Sequence, residues 1–227
     1  MTVPTVPHAE VTVDLSAIRD NVARLAQAAG SAATMAVVKA DGYGHGLVPA
    51  AQAARAGGAR WLGTAVLAEA IALREAGVDG RVLAWLAAPG EDYDTALTAD
   101  IDLAAYATWQ LDEIAAAARR TGVEARIHLK ADTGLGRGGV MPADWQDTVE
   151  HALALESHGT VRLVGVWTHF AYADAPGHPT IAAQLDTFGD AVARAEKAGA
   201  DLEVRHAANS AATLTLPDAH FDLVRPG

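Results

Sequence analysis

Short apolar stretches alternate with segments of helical periodicity along the chain, and this alternation restricts the fold more than any other feature. Strand-type runs are expected at 34–39, 61–65, 81–86, 101–105, 124–130, 161–168, 202–206 and 221–225. Helices are expected at about 46–57, 67–76, 92–98, 108–121, 142–157 and 209–215. Another carries the stripe Ile181, Leu185, Phe188 and Val192, and one before the first strand is capped by Asp14 and stopped by Gly30. Each helical crossover returns the chain to the same end, so the sheet must be parallel. Eight strands in 227 residues favour an eight-stranded parallel (β/α)8 TIM-type barrel over an open sheet. No eighth helix follows the last strand before Gly227, and the helix at 15–29 is expected to cover that gap.

Composition then limits the partners. Lys plus Arg number 17 and Asp plus Glu 28, a net charge of −11, which argues against a nucleic-acid or anionic-membrane partner. A small anionic ligand stays open, because it needs only a few local donors. Cysteine is absent, so disulfides, Cys-ligated zinc, iron–sulfur clusters and a thiol nucleophile are excluded. That usage suits a cytoplasmic protein. Met1 to Glu10 has neither the basic flank nor the apolar core of a signal peptide. No run approaches the roughly 20 apolar residues of a membrane span.

Barrel enzymes place their chemistry at the C-terminal ends of the strands. Here Lys39 ends the first strand; Lys130 and Asp132 end the fifth, with Arg137 in the loop beyond. His169 ends the sixth strand, His206, Asn209 and Ser210 follow the seventh, and Arg225 ends the eighth. Singly, each has a bland reading as a snorkelling cation or an ordinary histidine. Their concentration on five of eight strand ends is harder to dismiss. Strand five adds a second argument, because His128, Lys130 and Asp132 share one face while Ile127, Leu129 and Ala131 share the other. The apolar face should meet the helices, which turns the polar face into the barrel, where an unpaired charge is costly.

Three patterns are weighed and set aside. Gly134 to Gly139 satisfies GxGxxG after a strand, but its helix is expected only near Pro142 and no acidic residue ends the next strand. His169, Asp174 and His178 lack the spacing of a zinc site, so no metal is expected. No GxSxG elbow is present.

The segment Val37-Val38-Lys39-Ala40-Asp41-Gly42-Tyr43-Gly44-His45-Gly46 resembles the cofactor-attachment motif of alanine racemases. Further matches follow in order: Lys130 to Arg137, Thr168 to Ala171, His206 to Ala211, and Val224-Arg225-Pro226-Gly227. The resemblance implies a barrel that binds pyridoxal 5′-phosphate (PLP) and an isomerase that interconverts L- and D-alanine for peptidoglycan. It implies that Lys39 forms the Schiff base, since only an amine can hold an aldehyde as an imine and exchange it for a substrate amine. Tyr43, Asn209, Ser210 and Gly227 correspond to the phosphate end. Arg137 corresponds to the arginine at the phenolic oxygen and to part of the substrate site. Lys130 corresponds to a lysine that many members carbamylate, and His169 to a histidine buttressing the arginine on strand eight.

Arg225 corresponds to the residue facing the pyridine nitrogen. A guanidinium can donate to that nitrogen but does not readily give up its proton. An acidic partner there would keep the ring a strong electron sink. With Arg225 in its place, reprotonation at Cα is favoured over transamination.

Members of this family continue past Val-Arg-Pro-Gly into a C-terminal β domain. In that family the domain supplies a second catalytic base, a tyrosine that enters the partner subunit's site, and the resemblance implies a homodimer for the full-length protein. The 227 residues are therefore expected to represent the PLP barrel alone, poorly active without the β domain. The alternative reading is a single-domain PLP-binding protein without catalytic turnover. Its lysine motif lacks the Asp41-Gly42-Tyr43-Gly44-His45-Gly46 segment found here.

Overall fold

The computed structural model of the chain describes residues 9–227. Most of the Met1–Glu10 stretch read for a signal peptide lies outside the described residues. Among them, eight strands form one sheet in the order β7-β6-β5-β4-β3-β2-β1-β8, and every paired neighbour is parallel. The strands are β1 (Ala33–Val37), β2 (Trp61–Val66), β3 (Arg81–Leu86), β4 (Asp102–Ala105), β5 (Ala125–Lys130), β6 (Val161–Trp167), β7 (Val204–His206) and β8 (Leu223–Val224). The ring is nearly closed. Between β7 and β8 there is no ladder, only single backbone bonds: Asp222 N–H donates to the Arg205 carbonyl at 3.1 Å, and Arg225 N–H to the Ala208 carbonyl at 2.9 Å.

A barrel is covered outside and filled inside, so apolar residues occupy both faces of most strands, with β5 presenting His128 and Lys130 inward. The outer face, with Leu62, Val82, Leu103, Ile127, Leu129 and Val166, packs under the helices. The inner face carries Met35, Trp61, Leu83, Ala104, Trp167, Val204 and Leu223. Gly63 is small for a reason: a Cβ there would lie 2.5 Å from the Trp85 ring.

Helix α1 (Leu15–Ala28) is capped by Asp14, whose Oδ1 accepts from the Ser16 and Ala17 N–H groups at 2.9 and 3.2 Å. It packs against α3 (Leu47–Ala56), α9 (Ser210–Thr215) and β1, and so covers the place left without an eighth helix. Gly57 permits the approach, since a Cβ there would lie 2.4 Å from the Arg19 carbonyl oxygen. The remaining helices are α4 (Leu67–Glu75), α5 (Tyr93–Thr98), α6 (Thr108–Thr121), α7 (Trp145–Ser157) and α8 (Pro179–Ala198). No described helix is long and apolar enough to cross a membrane.

Several boundaries differ from the sequence expectation. Helix α7 starts at Trp145 rather than 142, and β7 and β8 are shorter than expected. Strand β1 ends at Val37, two residues before Lys39. Lys39 instead opens α2 (Lys39–Tyr43), a single turn in which Ala40, Asp41, Gly42 and Tyr43 have φ of 54, 55, 61 and 57°. The turn is left-handed, a conformation that costs an ordinary L-residue roughly 1–2 kcal/mol.

Candidate active site

Contacts from neighbouring elements hold this left-handed turn in place. Glu69, in the first turn of α4, accepts from Ala40 N–H at 2.6 Å and Asp41 N–H at 3.3 Å through Oε1. Its Oε2 accepts from Ala65 and Val66 N–H at 3.0 and 3.4 Å. Asp41 Oδ1 accepts from Leu47 N–H at 2.7 Å and so joins the turn to α3. Gly42 is buried against α3, where a Cβ would meet the Ala50 methyl at 2.9 Å. The Lys39-to-Gly46 segment thus places two side chains, with Lys39 Nζ 5.9 Å from the centre of the Tyr43 ring.

Both residues line a cavity of about 450 Å³ at the C-terminal ends of the strands. Lys130, Arg137, His169, Asn209, Ser210, Arg225 and Gly227 line it as well, so nine of the eleven sequence-predicted positions meet in one place, and Asp132 and His206 do not line it. Trp85, Leu86 and Trp167 supply apolar wall.

Arg225 is buried at the base. Its Nη2 donates to the Thr168 and Ala207 carbonyls at 2.6 and 3.1 Å, its Nη1 to His206 Nδ1 at 3.0 Å. The guanidinium lies 5.0 Å from the Trp167 ring centre. Burial pushes its pKa down to about 9, which still leaves it charged at neutral pH.

The histidine that hydrogen-bonds Arg225 in this structure is His206. The reason is geometric: His206 lies on the inner face of β7 beside β8, whereas His169 follows β6 and faces the cavity. Among the described residues His169 makes no hydrogen bond to Arg225. Burial, then the cations Arg225, Arg137, Lys130 and Lys39, push its pKa down to about 3, so it is neutral.

Lys130 Nζ donates to the Arg137 carbonyl at 3.2 Å and sits 5.1 Å from the Trp167 ring centre. Burial, then Arg137, lower its pKa to about 8. Asp132 does not join it in the barrel. Its Oδ1 accepts from Gly134 and Gly136 N–H at 2.9 and 3.1 Å, which makes the GxGxxG stretch a capped loop. Among the described residues no three His, Asp or Glu side chains converge as metal ligands would.

On another part of the lining, Ser210 and Gly227 close on each other. Ser210 Oγ accepts from Gly227 N–H and donates to the Gly227 carbonyl, both at 2.9 Å. A Cβ on Gly227 would lie 2.6 Å from Val37 Cβ and 3.1 Å from the Tyr43 hydroxyl, so only glycine leaves this cradle open. Asn209 sits at the helix start, as the sequence predicts. Its Oδ1 is taken up by Ala212 N–H at 3.0 Å as the cap of α9, so it shapes the cradle while its side-chain oxygen is already engaged.

An amine on a rigid turn, a buried guanidinium and a serine–glycine pair thus meet around one cavity at the C-terminal end of a parallel barrel. Residues 13–227 match the family described as alanine racemase, N-terminal domain. The chain is 61% identical to the alanine racemase of Frankia casuarinae over 95% of its own length and 56% of the relative's, and 56% identical to that of Streptomyces coelicolor over 97% and 58%. Among solved structures, alanine racemase from Streptomyces lavendulae superposes with a TM-score of 0.94 at 57% identity, covering 95% of this chain and 56% of that one. Alanine racemase from Bacillus anthracis with bound L-Ala-P gives 0.86 at 32%, covering 96% and 58%. The chain belongs to the alanine racemase family, and it spans somewhat over half the length of these relatives.

Proposed function

We propose that this chain is the PLP-binding barrel of an enzyme that interconverts L- and D-alanine. The observation that carries the reading is the meeting of Lys39, Arg225 and the Ser210–Gly227 cradle on one cavity in a member of this family. Membership also favours racemisation over a single-domain PLP-binding protein without turnover. PLP fits the residues present: Lys39 for the aldehyde, Arg225 for the ring nitrogen, Arg137 for the phenolic oxygen, and Ser210, Tyr43 and Gly227 for the phosphate. When bound, PLP acidifies the Cα–H of an attached amino acid by drawing its electrons into the ring.

The rest of the work falls to the chain. Lys39 takes or returns a proton at Cα on one face. Arg225 would face the ring nitrogen as a donor that keeps its own proton, which would limit charge on the ring and favour reprotonation at Cα over transamination. Trp85, Leu86 and Trp167 exclude water from one wall. The base on the other face is supplied by a tyrosine of the C-terminal β domain of a partner subunit, in a cytoplasmic homodimer that provides D-alanine for peptidoglycan.

The test compares residues 1–227 alone with the same residues joined to the C-terminal part of the Frankia casuarinae relative. Both should take up PLP. D-alanine should form faster with the joined chain by about 10²–10⁴-fold, the contribution of one general acid–base group. Equal rates would overturn the division of labour, and no PLP uptake by either would overturn the reading.

A further inference from the structure

Beneath the cavity, a line of buried polar side chains runs through the barrel. Asp102, His128 and His206 are fully buried, and Arg225 is nearly so. Arg225 Nη1 lies 3.0 Å from His206 Nδ1, His206 Nε2 lies 2.9 Å from His128 Nδ1, and His128 Nε2 lies 3.2 Å from Asp102 Oδ2. Asp102 is held in turn by Arg81 Nε at 3.1 Å and Arg126 Nε at 2.7 Å.

One direction of donation is compatible with this line. A guanidinium only donates, so His206 Nδ1 must accept. His206 then keeps its single proton on Nε2 and donates to His128 Nδ1. His128 Nδ1 accepts, so its proton sits on Nε2 and points at the Asp102 carboxylate. An imidazolium at His128 would donate back to His206 and leave His206 without a proton on either nitrogen. The direction Arg225 to His206 to His128 to Asp102 is therefore forced by Arg225 at one end and by the carboxylate at the other.

The barrel makes room for it. The register between β5 and β6 shifts after Ile127, which sets Gly165 opposite His128, and a Cβ on Gly165 would lie 2.3 Å from His128 Nδ1. Trp61 meets His128 edge to face, and Trp167 stacks on His206 with rings 1° from parallel. Both nitrogens of each imidazole are engaged, so turning either ring over would set carbon against its hydrogen-bond partners.

We infer that Asp102 and His128 are positioning residues which, through His206, fix the Arg225 guanidinium for its contact with the cofactor ring. Neither touches the cavity. The chain gives a buried guanidinium an acceptor for one N–H and a distant counter-charge. It also keeps a proton-transferring carboxylate away from the ring nitrogen. The positioning role rests on the cofactor reading above; the direction of the hydrogen bonds does not.

The test uses protein with ¹⁵N-labelled histidine rings, with and without PLP. In the cofactor-free wild type, His128 and His206 should each show a protonated Nε2 and a bare Nδ1. A proton on Nδ1 of either ring overturns the inference, and this measurement needs no variant. His128→Gln should preserve the direction, because its amide oxygen can accept from His206 while its NH₂ donates to Asp102. His128→Leu should release the His206 tautomer and weaken PLP binding by about tenfold, the lower end for an outer-shell partner. Unchanged PLP affinity and an unchanged His206 ring in His128→Leu would overturn the positioning role. Predicted ring nitrogens in a wild type that takes up no PLP would overturn the cofactor reading and leave the direction standing.

Discussion

Glu69 Oε1 accepts the backbone N–H of Ala40 at 2.6 Å, and the first residue after Lys39 is thereby held in a left-handed conformation. The carboxylate joins β2, α4 and the turn that carries the cavity lysine. Hydrogen bonds to a charged partner contribute more than neutral ones, about 1.5–3 kcal/mol. Glu69→Ala should therefore lower stability by about 2 kcal/mol. The measurement is the urea midpoint at unchanged m-value. Glu69→Gln, which keeps one acceptor oxygen, should fall between the two.

Lys39 should be the attachment point for PLP. Borohydride reduction of PLP-treated protein should leave the added mass on Lys39 alone, read by peptide mass spectrometry. Lys39→Ala should show none. An adduct on Lys130 instead would mean that the two lysines exchange roles.

Lys130 should set a pH dependence of stability. Its pKa is about 8 in the fold against an ordinary 10.5. Below pH 8 both states carry the proton and the burial cost is fully present. Between pH 8 and 10.5 the folded state has released the proton and the unfolded state has not, so stability rises with pH across that window. Lys130→Met should abolish the rise and be more stable near neutrality by about 1–3 kcal/mol. A less stable Lys130→Met would indicate that carbamylation has made the side chain an anion paired with Arg137. A carbamate carbon signal from ¹³C-bicarbonate, lost in the variant, would show this directly.

His169 should stay neutral throughout the working range. With a pKa near 3, its ring proton resonances should show no titration step between about pH 5 and 8. Between 6.5 and 3 the unfolded state gains a proton that the fold refuses, so this group withdraws stability as pH falls. His169→Gln should remove that part of the acid sensitivity, read from midpoints at pH 4 to 7.

The barrel was legible because periodicity is a local signal that survives averaging over each element. The inward polar face of β5 was legible for the same reason: His128 and Lys130 alternate with Ile127 and Leu129. The left-handed turn was not, since Ala40 and Tyr43 have no preference for positive φ and are held there by Glu69, Asp41 and the close approach of α3. Strand β1 therefore seemed to run on to Lys39. His206 was visible as a strand-end residue, but its partners could not be. His128 lies 78 residues away in the chain, and nothing near either histidine in sequence marks the pair. Asp102 was hidden most completely, as an acidic residue inside an apolar run whose use depends on Arg81 and Arg126 from other strands.

The unladdered join between β7 and β8 has a consequence for how the molecule holds its shape. Ser210 follows one of these strands, Arg225 and Gly227 follow the other, and the cavity's anion cradle straddles the gap. A molecule gripped from both sides is a clasp on an otherwise open hoop. Under the proposed reading, a ligand held there would tie the two ends of the ring together, and filling the cavity would slow opening of the join between β7 and β8. Slow amide exchange at Asp222 and Arg225 would report both at once.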